Sequence, residues 1–235
     1  MPADMQFSPN LTGTTVVFDL DGTLVDTAPD LLRALNLTLD LEGLPHAPTQ
    51  AMRVLVGQGA RAMIERAAGM AGARFSQPRL DQLTEAFVAY YRQDIAAESL
   101  PFPGVEETLT ILAEAGARLA VCTNKRTDLS IQLLRALDLE LRFSAIVGAD
   151  SVTHKKPHPD HFRETVARAG GVVRASVMVG DSAPDVASAK AAGAPAVVVT
   201  FGYSEVPVEK LGADAILEDY ADAVPILTRL LRPAG

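Results

Sequence analysis

Two aspartates, Asp19 and Asp21, stand two residues apart where the apolar run 14–20 (TTVVFDL) ends, and Gly22 and Thr23 follow them. Carboxylates this close repel each other and suit a core poorly. A divalent cation resolves the conflict by taking oxygen ligands and offsetting the charge. A carboxylate that attacks phosphorus needs that same cation, because a phosphate ester repels an anionic nucleophile. The second carboxylate can then protonate the departing alkoxide and afterwards activate water. Gly22 permits the tight turn of a phosphate-cradling loop. A plain Asp-Gly turn would also explain Asp21 and Gly22, but it leaves Asp19 unexplained.

Three further clusters carry chemistry-bearing residue types. Thr123-Asn124-Lys125 ends the run LAVCTN, and a hydroxyl with backbone N–H groups at a strand-to-helix junction suits a phosphoryl oxygen; helix N-capping is the competing reading. His154-Lys155-Lys156-Pro157-His158-Pro159 opens a helix with Lys156 placed to bring an ammonium to a phosphoryl group, the alternative being a solvated charged loop. His154, His158 and His161 lack metal-ligand partners at a persuasive spacing and read as loop or helix-surface residues. In Gly180-Asp181-Ser182-Ala183-Pro184-Asp185, one carboxylate sits at a strand end and another one turn into the next helix. That spacing suits a metal ligand and a residue that orients the metal's water, or else an N-cap. Four separate structural readings would all have to hold for the set to carry no chemistry.

The elements that must position these residues are legible as well. Short β-branched runs recur at 14–20, 117–124, 144–148, 176–181 and 194–201, and from the second onward they alternate with helix-like stretches. Strands apolar on both faces, alternating with amphipathic helices, predict an α/β fold: a Rossmann-like, doubly wound parallel sheet covered by helices on both sides. Right-handed crossovers put every strand's C-terminal end on one edge, where such sheets bind ligands. Between 27 and 100 the alternation stops, and helical patterns at 28–43, 48–57, 59–72 and 78–98 are punctuated by glycine and proline. The expected division is a core of 1–26 and 101–235 with an inserted small α-helical cap of 27–100.

Composition narrows the function further. A formal charge of −8 over 235 residues disfavours non-specific binding to nucleic acid or anionic membrane. An anionic substrate must therefore find its positive charge in the site. The single cysteine, Cys122, allows no intramolecular disulfide and reads as a small buried hydrophobe. The N-terminal segment lacks a signal-peptide pattern, and no apolar run approaches a bilayer span. A cytoplasmic protein, monomer or homodimer, is expected.

With these residues in view, the chain resembles the haloacid dehalogenase superfamily over essentially its full length. Asp19–Thr23, Thr123, Lys156-Pro157 and Gly180–Asp185 match its four motifs in order. FDLDGTLVDT, VCTNK, KKPHPD and GDSAPD are similar to its phosphoglycolate phosphatase-like branch. The resemblance implies Asp19 as nucleophile and Asp21 as acid/base. It also implies Mg2+ held by the Asp19 and Asp181 carboxylates and the Asp21 backbone carbonyl, with Asp185 ordering the metal shell. Gly22, Thr123, Asn124 and Lys156 would hold the phosphoryl group. Dehalogenases of the superfamily lack the second aspartate, so Asp21 favours phosphoryl transfer. Leu31 stands where sugar-phosphate mutases carry a histidine, and the segment 27–100 contains no lysine for a phosphonatase imine.

The expected activity is hydrolysis of a small phosphorylated metabolite, 2-phosphoglycolate, to glycolate and phosphate through an aspartyl-phosphate. A sugar phosphate, a nucleotide or pyrophosphate is the alternative substrate, and a catalytically lapsed binding or regulatory protein the alternative class. Substrate choice should lie in the loop 56–61, where Gln58 and Arg61 could meet a carboxylate, although a glycine-punctuated junction with Arg61 in solvent fits equally. Arg53 is a weaker candidate.

Overall fold

Short runs of β-branched residues free of internal proline extend readily, and the amphipathic stretches between them coil to bury one face. A computed structural model describes residues 9–51, 55–57 and 59–231. In chain order its strands are β1 (Thr15–Phe18), β2 (Val25–Asp26), β3 (Leu100–Pro101) and β4 (Arg118–Cys122). They are followed by β5 (Ala145–Val147), β6 (Ser176–Gly180), β7 (Ala196–Val199) and β8 (Ala215–Leu217). The described α-helices of the first half are α1 (Ala28–Asp40), α2 (Ala60–Met70), α3 (Gln77–Gln93) and α4 (Val105–Glu114). Those of the second half are α5 (Thr127–Ala136), α6 (Pro159–Arg168), α7 (Ala183–Ala192) and α8 (Ala223–Leu230).

The main sheet has six strands in the order β5-β4-β1-β6-β7-β8, every pair parallel. Side chains alternate across it with a period of two. Val16, Phe18, Leu119, Val121, Val177 and Val179 join one apolar cluster with Leu109 of α4, Leu133 of α5 and Leu227 of α8. Val17, Ala120, Cys122 and Met178 join the other with Phe162 and Val166 of α6 and Val186 and Ala189 of α7. The sheet is thus doubly wound, as the sequence predicts. Cys122 is fully buried, and burial pushes its thiol up to about 12, as befits a core residue and not a nucleophile.

The helices α1, α2 and α3 lie between β2 and β3, which pair antiparallel through Val25 with Pro101 and Asp26 with Leu100. This small ladder brings the outgoing and returning strands of the helical segment side by side. The helix expected over 78–98 stops at Gln93. Beyond it the backbone is drawn back to α1: Asp30, fully buried, accepts from Glu98 N (3.0 Å), Ser99 N (2.8 Å) and the Ser99 hydroxyl (2.7 Å). Those bonds replace the helical ladder over the last residues.

Candidate active site

The C-terminal ends of β1, β4 and β6 meet at one edge of the sheet, and each delivers part of the site. Asp19 directly follows β1, and its N–H donates to Val179 O at 2.9 Å, so the ladder with β6 runs up to the residue itself. The chain then turns within Leu20–Val25, where Leu24 N and Val25 N both donate to Leu20 O. Gly22 stands in that turn with φ +79°, and a Cβ there would meet Asp181 Oδ2 at 2.5 Å. No side chain fits between the two loops, which is the packing reason for glycine.

Asp181 follows β6 and accepts from Tyr203 N at 2.6 Å. Asp185, one turn further, accepts from Ser182 N (3.1 Å) and the Ser182 hydroxyl (2.6 Å) through Oδ2. The carboxylates of Asp19, Asp181 and Asp185 converge with ligand atoms within 4.8 Å of one another, all buried. Into this cluster reaches Lys156, whose Nζ donates to Cys122 O (2.7 Å) and Asp185 Oδ1 (2.5 Å) and lies 3.0 Å from Asp19 Oδ1.

One ammonium does not balance three buried carboxylates. Burial raises Asp19 to about 7, Lys156 pulling it down and Asp185 and Asp21 pushing it up. Asp181 is raised well above the ordinary carboxylate range, first by burial and then by Asp185 and Asp19. Lys156 is itself raised, because its two carboxylate neighbours outweigh its desolvation. An all-oxygen, buried, under-neutralised donor set is what a hard divalent cation takes, so these residues fit one.

The lysine loop owes its shape to a residue that the sequence suggested was a surface histidine. His161 is fully buried: Lys156 N donates to its Nδ1 (3.1 Å), and its Nε2 meets Val147 O at 3.1 Å. A backbone N–H can only donate, so Nδ1 is the bare nitrogen and Nε2 carries the hydrogen. Burial and the charge of Lys156 lower His161 to about 4, which keeps it neutral. His161, Phe162, Thr165 and Val166 form the buried stripe of α6, and that spacing was the available signal.

At the end of β4, Thr123 N donates to Val147 O (3.1 Å) and Thr123 Oγ1 accepts from Lys125 N (3.2 Å). Because α5 begins only at Thr127, neither Thr123 nor Asn124 is its cap. Asn124 Nδ2 faces Gly57 O (3.3 Å) and Lys156 O (3.2 Å), linking the helical segment to the lysine loop. Asp21 accepts from the Thr27 hydroxyl (2.8 Å) and is paired with Lys125 Nζ at 2.8 Å, an ammonium that also lies 4.4 Å from the Tyr91 ring. Lys125, which the sequence places in the second cluster without a role of its own, lies beside Asp21, and Tyr91 and Tyr203, to which the sequence assigns no part, lie beside the same carboxylates.

A cavity of about 90 Å³ opens at this edge, with Asp19, Asp21, Thr123 and Lys125 on its floor and Met63, Phe87 and Tyr91 in its wall. Arg61 does not line it. Its guanidinium is held outward by Asp81 and Gln77 at the start of α3, the solvent-facing one of the two placements that the sequence leaves open. Arg53 and Gln58 fall outside the described residues.

Over residues 16–199 the sequence matches haloacid dehalogenase-like hydrolase. The chain belongs to the haloacid dehalogenase-like hydrolase family. A phosphoglycolate phosphatase of Caulobacter vibrioides is 48% identical over 222 residues, covering 94% of both chains. One from Agrobacterium fabrum is 43% identical, covering 93% of this chain and 94% of its own. A solved structure from Haemophilus somnus, described as a predicted phosphoglycolate phosphatase, superposes with a TM-score of 0.86 at 32% identity, covering 92% of this chain and 98% of that one. The family's enzymes are hydrolases, and the sheet edge described above is where this member carries its acidic cluster.

Proposed function

We propose that the protein is a magnesium-dependent phosphatase that hydrolyses 2-phosphoglycolate to glycolate and phosphate, with residues 27–100 acting as the cap over a core of 1–26 and 101–235. The convergence of Asp19, Asp181 and Asp185 around Lys156 carries the reading. The names of the Caulobacter and Agrobacterium relatives support the choice of substrate.

Asp19 attacks phosphorus and forms the aspartyl-phosphate as the P–O ester bond breaks. Asp21 gives its proton to the departing glycolate oxygen. Asp21 then takes a proton from water, whose oxygen attacks phosphorus and releases phosphate and free Asp19. Lys156 and the Thr123 hydroxyl hold the phosphoryl oxygens, and Gly22 lets the loop lie close to them. Magnesium, held by Asp19, Asp181 and the Asp21 carbonyl beside Asp185, would supply the positive charge that lets an anion approach an anion. The apolar wall of Met63, Phe87 and Tyr91 excludes water around the reacting atoms.

Among the described residues no helix is long and apolar enough to cross a membrane. A cytoplasmic location and a monomeric or homodimeric state complete the proposal. Phosphate release from a panel of esters with Mg2+ tests it. 2-Phosphoglycolate should be turned over faster than sugar phosphates, nucleotides and pyrophosphate, and equal or slower turnover rejects the substrate. Asp19→Asn should lose about four orders of magnitude in kcat or more, and retained turnover, with Asn deamidation excluded by mass, rejects the nucleophile.

A further inference from the structure

With Arg61 turned outward, the carboxylate of the substrate needs another partner. Among the described residues, the cations at the cavity are few. Lys156 spends its three ammonium hydrogens on Cys122 O, Asp185 and Asp19. Arg126 lies at the rim, exposed, with its guanidinium on Asp128. Lys125 is different: it is 8% exposed and lines the cavity beside Asp19. Its one carboxylate partner among the described residues is Asp21, the acid of the reaction.

That pairing cannot persist through turnover. To reach the ester oxygen, the Asp21 carboxyl must turn toward the substrate, leaving a buried ammonium against an apolar wall, a costly state unless another anion replaces it. The substrate brings one, a carboxylate one methylene from the ester oxygen that Asp21 protonates. Tyr91, whose ring lies 4.4 Å from the ammonium, lines the same cavity, and its buried hydroxyl has no hydrogen-bond partner of normal geometry among the described residues.

We propose that Lys125, with the Tyr91 hydroxyl beside it, binds the carboxylate of the substrate and so selects phosphate esters that bear a second anion next to the ester carbon. Lys125 exchanges Asp21 for the substrate carboxylate, so recognition of the acid end and release of Asp21 are one event. The selected class is small 2-phosphooxy carboxylates. The inference rests on the phosphatase reading given above.

The test compares kcat/KM for 2-phosphoglycolate with that for 2-hydroxyethyl phosphate, which replaces the carboxylate by an uncharged hydroxymethyl group. Wild-type enzyme should prefer the former. Lys125→Met should reduce that preference by about tenfold to a hundredfold, the worth of a charge-assisted contact, with the loss mainly in KM for 2-phosphoglycolate. Both esters will lose some turnover because Asp21 loses its partner, so the ratio and not the absolute rate reads the proposal. Lys125→Arg should retain much of the preference, and Lys125→Gln serves if the methionine variant does not fold. A wild-type preference that survives unchanged in the uncharged variants overturns the role of Lys125 and leaves the phosphatase standing. A wild-type enzyme with no preference overturns both the substrate and the selection.

Discussion

Lys156 is buried with its ammonium between Asp19 and Asp185, and the two contacts serve different ends. Toward Asp185 it is structural, fixing the first turn of α7 against the lysine loop. Toward Asp19 it is electrostatic, partly offsetting that carboxylate's negative charge, and in the proposed reaction it meets the phosphoryl oxygens. Removing the charge strands two buried carboxylates, a loss worth about 3–5 kcal/mol where a buried pair is broken from one side. Lys156→Met should therefore lower the urea-derived unfolding free energy by an amount in that range and kcat by about two to three orders of magnitude. Retained stability would show that the carboxylates find other neutralisation, and retained kcat would remove Lys156 from the phosphoryl contacts. His161→Ala, which removes a bond to Lys156 N and one to Val147 O, should act more mildly, because the ammonium stays.

Between the helical segment and the sheet, a few tethers do the positioning. Asp30 on α1 grips the returning strand through Glu98 and Ser99, and Tyr203 donates to Asp26 (2.5 Å) while its own N–H holds Asp181. Both ties sit where the chain leaves or re-enters the helices. Asp30→Ala leaves two N–H groups and a hydroxyl without their acceptor, which should cost about 2–4 kcal/mol in denaturant unfolding. An effect below about 1 kcal/mol would mean that water replaces the carboxylate. These tethers were invisible in the sequence, since Asp30 and Ser99 lie 69 residues apart and neither has a pattern that marks the other. The strands that carry the site were legible because β1, β4 and β6 are apolar on both faces. β8 was not: its residues Ala215–Leu217 form a half-exposed edge without the apolar run of a central strand. Lys125 is named in the second cluster, but its pairing is not legible for a related reason: its partners Asp21 and Tyr91 are brought to it only by folding. Asp19, Asp21, Thr123 and Asp181 stand out in the sequence because each lies at or just past the end of a recognisable strand, and Lys156 because it precedes a helix that opens with proline.

At the scale of the whole molecule, the acidic cluster ties stability to proton and metal. In the folded, metal-free protein Asp19 keeps its proton up to about 7, whereas an ordinary aspartate releases it near 3.8. Between those values the folded state binds more protons than the unfolded one, so stability falls as pH rises through that window. Asp181 is raised too and has the same sign. His161 opposes them: it is lowered from 6.5 to about 4, so it adds stability as pH rises between those two values. Above about 6.5 that opposition has ended, and the carboxylates govern the slope. A divalent cation binds the deprotonated carboxylates and so competes with the protons. In EDTA the midpoint of thermal unfolding should therefore fall between pH 6.5 and 8. Mg2+ at about a hundredfold excess over its Kd should raise that midpoint by about 5–10 °C, and the gain should be larger at pH 7.5 than at pH 5.5. Differential scanning calorimetry across that range decides the point. A Mg2+ gain independent of pH would mean that the cation does not bind where Asp19 and Asp181 hold their protons. Asp181→Asn, which removes one of the two raised carboxylates, should flatten the slope in EDTA and abolish most of the gain together, because one set of oxygens serves both.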